Sequence, residues 1–286
     1  MSSLIYKNIL STLDDYDIYL FDLWGVIIEG NKLYPGVIEI INEISSKKSV
    51  AFVSNAPRSA RGSFEKLKSW GLNVLPNMVF TSGEIARQIM ISSKDLLNIE
   101  TPIIYHLGAD RNIDINVRLN LSFISDIDRA NILLLTLYRD EQEDLEEFDS
   151  LLKKAAVRDD LKVICANPDT TIPNLGAIRY CSGYFAKKLE HWGGKVIYTG
   201  KPHNIIYQHL LKNITHDVPK HRILMIGDTL ETDILGANMC GIHSALVLTG
   251  NSEHIHNEYS NLTDKLQAIE IAARGLKLMP NMVINI

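Results

Sequence analysis

The sequence lacks most features that mark secreted, membrane-spanning or disulfide-stabilised proteins. The three cysteines are far apart and odd in number, and no two form a C-x-x-C, which argues against a disulfide scaffold or a cysteine-based zinc site. The N-terminus has no signal-peptide pattern. No apolar run approaches the ~18 residues that span a bilayer. We therefore expect a reducing, cytoplasmic location and no membrane partner.

The sequence also lacks a large excess of charge of either sign and several common enzyme motifs. The 29 basic and 34 acidic side chains give a net charge of -5, which argues against general binding to nucleic acid. The sequence contains no P-loop, no G-x-G-x-x-G and no G-x-S-x-G. It therefore offers no anchor for P-loop, dinucleotide or serine-hydrolase chemistry.

What the sequence does contain is an ordinary globular composition, 46% hydrophobic and 22% charged. At about 150 residues per domain, 286 residues suggest roughly two domains. Short apolar runs alternate with helical patterns, which predicts an α/β fold with a parallel sheet. The predicted strands near the two ends of the chain are Asp17–Phe21, Val50–Val53, Met78–Phe80, Arg222–Ile226 and Ser244–Leu248.

The middle of the chain predicts a second, smaller α/β unit. Its expected elements are the strands Ile103–Leu107, Ile132–Leu137 and Val163–Ala166, with a helix around Leu145–Val157. No Gly/Ser/Pro-rich linker flanks the unit, which indicates insertion into a loop rather than a tether. We predict a core domain in two parts, residues 1–83 and 193–286, with residues 84–192 inserted between them.

Polar residues follow four predicted strands at the point where each strand ends. In open parallel sheets, ligands bind beyond the carboxyl ends of the strands. Taken singly, each residue could cap a helix, hold a turn or face solvent. The combination of acid, hydroxyl with amide, lysine and acid pair instead indicates a site for phosphate and a hard cation. These residues are Asp22, Ser54 with Asn55, Lys201, and Asp228 with Asp233.

These motifs resemble those of the haloacid dehalogenase (HAD) superfamily of hydrolases, most closely the class IIA phosphatases with a C2-type cap domain. The likeness covers nearly the whole chain and rests on four motifs and three cap segments. The motifs are Asp22-Leu23-Trp24-Gly25-Val26, Ser54-Asn55, Gly200-Lys201-Pro202, and Gly227-Asp228 through Asp233. The cap segments are Thr81-Ser82-Gly83, Ala166-Asn167-Pro168-Asp169 and Gly193-Gly194. The resemblance implies a Rossmann-like parallel-sheet core with an inserted α/β cap.

The resemblance also implies a role for each motif residue. Asp22 would be the nucleophile that forms an aspartyl-phosphate. Mg²⁺ would be held by the Asp22 carboxylate, the Trp24 backbone carbonyl, Asp228 and, directly or through support, Asp233. Ser54 and the Asn55 backbone would bind phosphoryl oxygens, and Lys201 would balance negative charge.

Trp24 departs from the family pattern. Phosphatases of the superfamily usually carry an aspartate two residues after the nucleophile, which protonates the leaving oxygen and later activates water. Tryptophan does neither, and general acid–base catalysis is typically worth 10²–10⁴-fold. The substrate could have a leaving group that needs no proton, another residue such as Glu29 could supply the acid, or the protein could be a weak or retired enzyme. Trp24 itself could be a hydrophobic plug or could stack on an aromatic substrate.

The leading hypothesis is therefore a Mg²⁺-dependent phosphatase of small phosphorylated metabolites. The alternative is a non-catalytic or weakly catalytic protein that binds a phosphorylated ligand on the same scaffold. The sequence leaves the oligomeric state open, although relatives in this class often pair through their caps, an arrangement that would allow a homodimer.

Overall fold

The fold was analysed in a computed structural model that describes residues 4–30, 32–108, 115–116, 119–174, 176–214, 218–276 and 278–286. The chain divides into two compact units. The first unit comprises Met1–Ser54, Ser63–Phe80 and Tyr207–Ile286, and the second comprises Asn55–Gly62 and Thr81–Ile206. The domain boundaries that we expect from the sequence stay a prediction.

Strands and helices alternate along most of the chain. The strands are β1 Tyr6–Asn8, β2 Ile18–Phe21, β3 Ile28–Glu29, β4 Lys32–Leu33, β5 Ser49–Ser54, β6 Val79–Thr81, β7 Ile103–Gly108, β8 Ser122–Ile124, β9 Ile132–Thr136, β10 Tyr138–Asp140, β11 Lys162–Cys165, β12 Thr171–Asn174, β13 Ala177–Cys181, β14 Val196–Tyr198, β15 Ile223–Gly227, β16 His243–Val247 and β17 Met282–Asn285. The helices are α1 Val37–Ser45, α2 Ala60–Ser69, α3 Ser82–Ile91, α4 Ser93–Leu97, α5 Asp149–Ala156, α6 Ser182–His191, α7 Asn204–Ile214, α8 Leu235–Cys240, α9 Glu253–Glu258 and α10 Leu262–Gly275.

A seven-stranded sheet with the order β1-β17-β16-β15-β2-β5-β6 forms the centre of the first unit. Strands β2 and β15 are parallel neighbours, with Phe21 opposite Ile226, and both are buried at every position. Continuous apolar runs of this kind are typical of parallel strands that are covered on both faces. The predicted α/β fold with a parallel-sheet core is confirmed.

Amphipathic spacing fixes the first helix against this sheet. Val37, Ile41 and Ile44, on one face of α1, are buried in a core cluster that also holds Phe21 and Phe52. Burying side chains of this size stabilises the fold by about 1.5–3 kcal/mol each. The helix follows Gly36, which has a φ of 78°, a backbone conformation that residues with a side chain rarely adopt.

The second unit contains a five-stranded parallel sheet with the order β14-β11-β9-β7-β8. A smaller antiparallel sheet, β10-β13-β12, accompanies it. Its core cluster is built from leucines of β9 with Leu152 of α5 and Phe185 and Leu189 of α6. Within the described ranges, no helix combines the length and the apolar character needed to cross a membrane.

The predicted helix around Leu145–Val157 begins later than the sequence indicates. The helix α5 starts at Asp149, and the residues before it form turns. In one of these turns the Glu146 amide donates to Asp144 Oδ1 at 2.8 Å. Aspartate side chains that bond to nearby backbone amides compete with helix formation, which explains the later start.

Candidate active site

Three aspartates meet in the first unit beyond the ends of two neighbouring strands. Asp22 follows β2 and Asp228 follows β15, so the parallel pairing brings the two residues side by side. The Asp22 amide continues the ladder by donating to the Ile226 carbonyl at 2.9 Å. Asp233 lies in a π-helical turn, Leu230–Ile234, just before α8. All three are buried, and one carboxylate oxygen of each lies within 4.8 Å of the others.

Two glycines leave room for the Asp228 carboxylate. A Cβ on Gly25, which has a φ of +79°, would lie 2.1 Å from Asp228 Oδ2, and a Cβ on Gly250 would lie equally close. The Asn251 amide donates to the same oxygen at 2.6 Å, and the Thr229 hydroxyl donates to Asp228 Oδ1 at 3.0 Å. The packing and these two donors fix the orientation of the carboxylate.

Asp233 is held with similarly little spare space. A Cβ on Gly227 would lie 2.1 Å from Asp233 Cγ, and the Thr229 amide donates to Asp233 Oδ2 at 3.2 Å. The buried hydroxyl of Tyr207 donates to the Asp233 carbonyl at 3.4 Å, while the Tyr207 ring lies against Gly236 of α8. Packing and hydrogen bonds therefore hold both the side chain and the backbone carbonyl of Asp233.

The chemistry of this donor set fits a hard divalent cation. Carboxylate oxygens are the ligands that Mg²⁺ and Ca²⁺ prefer in proteins. Two full charges 4.8 Å apart repel by about 3.5 kcal/mol at an effective dielectric constant of 20. A bound divalent cation would offset this repulsion. The residues present therefore match the cation that the sequence motifs predict.

Trp24 lies two residues after Asp22, beside the apolar core. The half-buried side chain packs against the core cluster that contains Phe21 and Phe52. Its backbone forms an isolated bridge with Ile28, and the next amide, that of Gly25, donates to the Ile28 carbonyl at 2.8 Å. These contacts support the interpretation of Trp24 as a hydrophobic plug.

Two other titratable side chains come from the hairpin that follows. Glu29 in β3 pairs with Lys32 of β4, and Tyr34 lies just beyond it. The Tyr34 hydroxyl accepts a hydrogen bond from the Gly250 amide at 3.3 Å. Burial, with the charge of Glu29, raises the pKa of Tyr34 to about 12, so the phenol stays protonated.

The predicted Ser54 and Asn55 straddle the division between the two units. Ser54 ends β5 in the first unit and is buried. Asn55 begins the second unit, where its side chain clamps the backbone of Lys201. The Lys201 amide donates to Asn55 Oδ1 at 2.7 Å, and Asn55 Nδ2 donates to the Lys201 carbonyl at 3.0 Å.

Asp169 is a partner of this clamp that the sequence did not assign. Asn55 Nδ2 also donates to Asp169 Oδ1 at 2.7 Å. The segment Asn167-Pro168-Asp169 follows β11, and within it the Asp169 amide donates to Asn167 Oδ1 at 3.0 Å. The sequence placed Asp169 in a cap segment that resembles the family, but it gave no sign of the contact with Asn55.

Comparisons with known proteins agree with the motifs. The family described as haloacid dehalogenase-like hydrolase matches residues 19–112, and the family described as HAD-hydrolase-like matches residues 198–269. Phosphoglycolate phosphatase 2 of Arabidopsis thaliana is 26% identical, over 92% of this chain and 91% of the relative. Chronophin of Mus musculus is 29% identical, over 82% of this chain and 81% of the relative.

A solved structure is similar over almost the full length. The crystal structure of a haloacid dehalogenase-like hydrolase from Brucella suis 1330 superposes with a TM-score of 0.77 at 26% identity, covering 97% of this chain and 98% of the other. Together with the two family matches, this likeness shows that the chain resembles the haloacid dehalogenase-like hydrolases over nearly its full length.

Proposed function

We propose that this protein is a Mg²⁺-dependent phosphatase of small phosphorylated metabolites that acts through an aspartyl-phosphate on Asp22. The observation that carries the proposal is the buried cluster of Asp22, Asp228 and Asp233 beyond β2 and β15. It occurs in a haloacid dehalogenase-like chain whose relatives include a phosphoglycolate phosphatase. The resemblance of the sequence motifs to those of class IIA phosphatases supports the same proposal.

The reaction divides into two transfers. The Asp22 carboxylate forms a bond to phosphorus while the ester P–O bond breaks, and the leaving group takes the electron pair. Water then attacks the aspartyl-phosphate, which restores the Asp22 carboxylate and releases inorganic phosphate. The Asp22 and Asp228 carboxylates, the Trp24 carbonyl and, directly or through support, Asp233 would hold Mg²⁺, which would supply the positive charge that the phosphate dianion requires.

The remaining motif residues bind and balance charge. Ser54 and the Asn55 backbone bind phosphoryl oxygens, and Lys201 offsets the charge that develops in the transfer. The clamp between Asn55 and Lys201 supports this assignment, because it fixes the backbone that carries the lysine. Fixed charges of this kind act without reorganising during the reaction.

Trp24 favours substrates whose leaving group departs without a proton. The indole cannot protonate an oxygen, and its ring packs against the apolar core. Aryl and acyl phosphates release stable anions, whereas alkyl phosphates need a general acid. We therefore propose aryl or acyl phosphates over alkyl phosphates, with Glu29 as the alternative acid.

Replacement of Asp22 tests the nucleophile. The Asp22→Asn variant should lose p-nitrophenyl phosphate hydrolysis in saturating Mg²⁺, because an amide cannot form the aspartyl-phosphate. Asp14→Asn, at an exposed aspartate in the same unit, is the matched control and should retain wild-type turnover. Retained turnover in Asp22→Asn would refute Asp22 as the nucleophile.

A leaving-group series tests the consequence of Trp24. The wild-type protein should hydrolyse p-nitrophenyl phosphate much faster than an alkyl phosphate. Trp24→Asp should improve alkyl phosphate turnover relative to Trp24→Asn, which has similar size and lacks the acid. Equal rates for both esters in the wild type would mean that another residue, with Glu29 the first candidate, supplies the proton. Binding of both esters without turnover of either would favour the non-catalytic binder.

A further inference from the structure

The carboxylate of Asp169 lies at the end of a short hydrogen-bond chain that leads to the backbone of Lys201. Asp169 Oδ1 accepts from Asn55 Nδ2 at 2.7 Å, and Asn55 in turn bonds both backbone groups of Lys201. Asn55 and Lys201 are buried, and Asp169 follows the end of β11. All three residues belong to the second compact unit.

An ionised carboxylate determines which way the asparagine amide points. Asp169 can only accept hydrogen bonds, so it selects the amide orientation in which Asn55 Nδ2 faces it. That orientation leaves Asn55 Oδ1 toward the Lys201 amide, the geometry in which it accepts at 2.7 Å. In the opposite orientation Oδ1 would face the carboxylate and the NH₂ group would face the Lys201 N–H. The negative charge of Asp169 therefore stabilises the clamp on Lys201.

The surroundings leave this segment little freedom to move. A Cβ on Gly183, at the start of α6, would lie 2.0 Å from the Pro168 carbonyl oxygen. A Cβ on Gly200 would lie 2.3 Å from Asn55 Oδ1 and 2.9 Å from Pro168 Cδ. Both glycines thus allow the backbone before Asp169 and the Asn55 amide to approach neighbouring segments closely. Close packing of this kind transmits the position of one group to the next.

We propose that Asp169 is a positioning residue for Lys201 and acts through Asn55. It fixes the amide of Asn55, which fixes the Lys201 backbone and hence the origin of the charged side chain. The inference rests on the proposed phosphatase function, because Lys201 offsets charge in that reaction. A misplacement of about 1 Å in a catalytic group can lower a rate by roughly 10²-fold, so a remote orienting contact has a measurable effect.

Kinetics of Asp169 variants test this role. Asp169→Asn should lower kcat for p-nitrophenyl phosphate on the order of 10- to 100-fold, with KM changed far less. Asp169→Glu, which keeps an acceptor charge, should recover part of the loss. Asp159→Asn, at an exposed aspartate of the same unit, is the control and should retain wild-type kinetics. If Asp169→Asn instead raises KM, lowers kcat and lowers Tm together, the residue has a merely structural role and the proposal is overturned.

A double-mutant cycle tests the route through Asn55. In an Asn55→Ala background, adding Asp169→Asn should change kcat little, because the residue that relays its effect is already gone. Independent, multiplicative losses would overturn the relay.

Hydrogen exchange supplies a readout that needs no turnover. In Asp169→Asn the Lys201 amide should exchange faster than in the wild type. The Thr199 amide, which donates to the Cys165 carbonyl at 3.2 Å, should keep its protection as the internal control. Unchanged Lys201 exchange would overturn the inference even if the protein is a phosphatase. If Lys201 exchanges faster in Asp169→Asn but the wild-type protein shows no phosphatase turnover, the positioning contact is supported and the proposed function is refuted.

Discussion

The substitution Gly25→Ala should lower the stability of the protein by more than backbone strain alone explains, because the added methyl group would disturb the carboxylate cluster. Gly25 has a φ of +79°, so an alanine there costs roughly 1–2 kcal/mol in backbone strain. The new Cβ would also lie 2.1 Å from Asp228 Oδ2. Overpacking of this kind typically adds about 1–3 kcal/mol. The expected loss for Gly25→Ala is therefore the sum of the two terms.

Gly36 provides a matched control that isolates the second term. Its φ of +78° is nearly the same, but nothing lies within 4 Å of an added Cβ. Gly36→Ala should therefore show the backbone cost alone. For 150–250 residues, 1 kcal/mol lowers Tm by about 2–4 °C. Gly25→Ala should consequently melt about 2–12 °C below Gly36→Ala, a range that follows from the overpacking term.

Thermal unfolding with and without Mg²⁺ measures both consequences. Mg²⁺ should raise the Tm of the wild type and of Gly36→Ala, because a cation that binds only the folded state stabilises it. In Gly25→Ala the displaced Asp228 carboxylate should largely abolish that rise. Equal Tm values for the two variants, with equal responses to Mg²⁺, would refute the argument that Gly25 exists to admit Asp228.

Three further predictions concern stability and thiol exposure. Burial lowers the pKa of His243, whose Nδ1 lies 2.9 Å from the Tyr16 hydroxyl. The contribution of His243 to stability is therefore present above pH ~6.5 and is lost as pH falls toward the pKa of the folded state. The free energy of unfolding in urea should consequently fall less between pH 7.5 and 5.5 in His243→Gln than in the wild type. Gly236→Ala should destabilise by about 1–3 kcal/mol because its Cβ would lie 2.5 Å from the Tyr207 ring, whereas Gly275→Ala, with open space around it, should be neutral or stabilising in the same melts. The three cysteines are buried and in no disulfide, so a thiol reagent should label them slowly in the native protein and all three in denaturant; rapid native labelling would contradict their burial.

Much of the core and of the candidate site could be predicted because both follow from local patterns. Strands β2 and β15 are short, continuously apolar runs, and each ends directly before an aspartate. Parallel pairing then brings Asp22 and Asp228 together without further information. The loop glycine Gly25 and the second aspartate, Asp233, complete the sequence pattern that predicts the site.

Other features depend on contacts that leave no local pattern. Asn55 and Asp169 are 114 residues apart, and neither position alone predicts the other. The Trp24 side chain packs against a core cluster that only the fold assembles. The antiparallel sheet of β10, β12 and β13 was missed because its strands are short and only partly buried.

The first and last strands of the chain are neighbours, since Tyr6 of β1 pairs with Val283 of β17. Strand β17 also lies between β1 and β16, so β1 joins the sheet only through β17. During synthesis, β1 and β2 therefore emerge long before β15 and β17, their partners. Contacts this distant in sequence slow folding, because loop closure must precede the gain from pairing. Strand β2 can pair early with β5, but its other edge stays open, and thus prone to aggregation, until β15 is made.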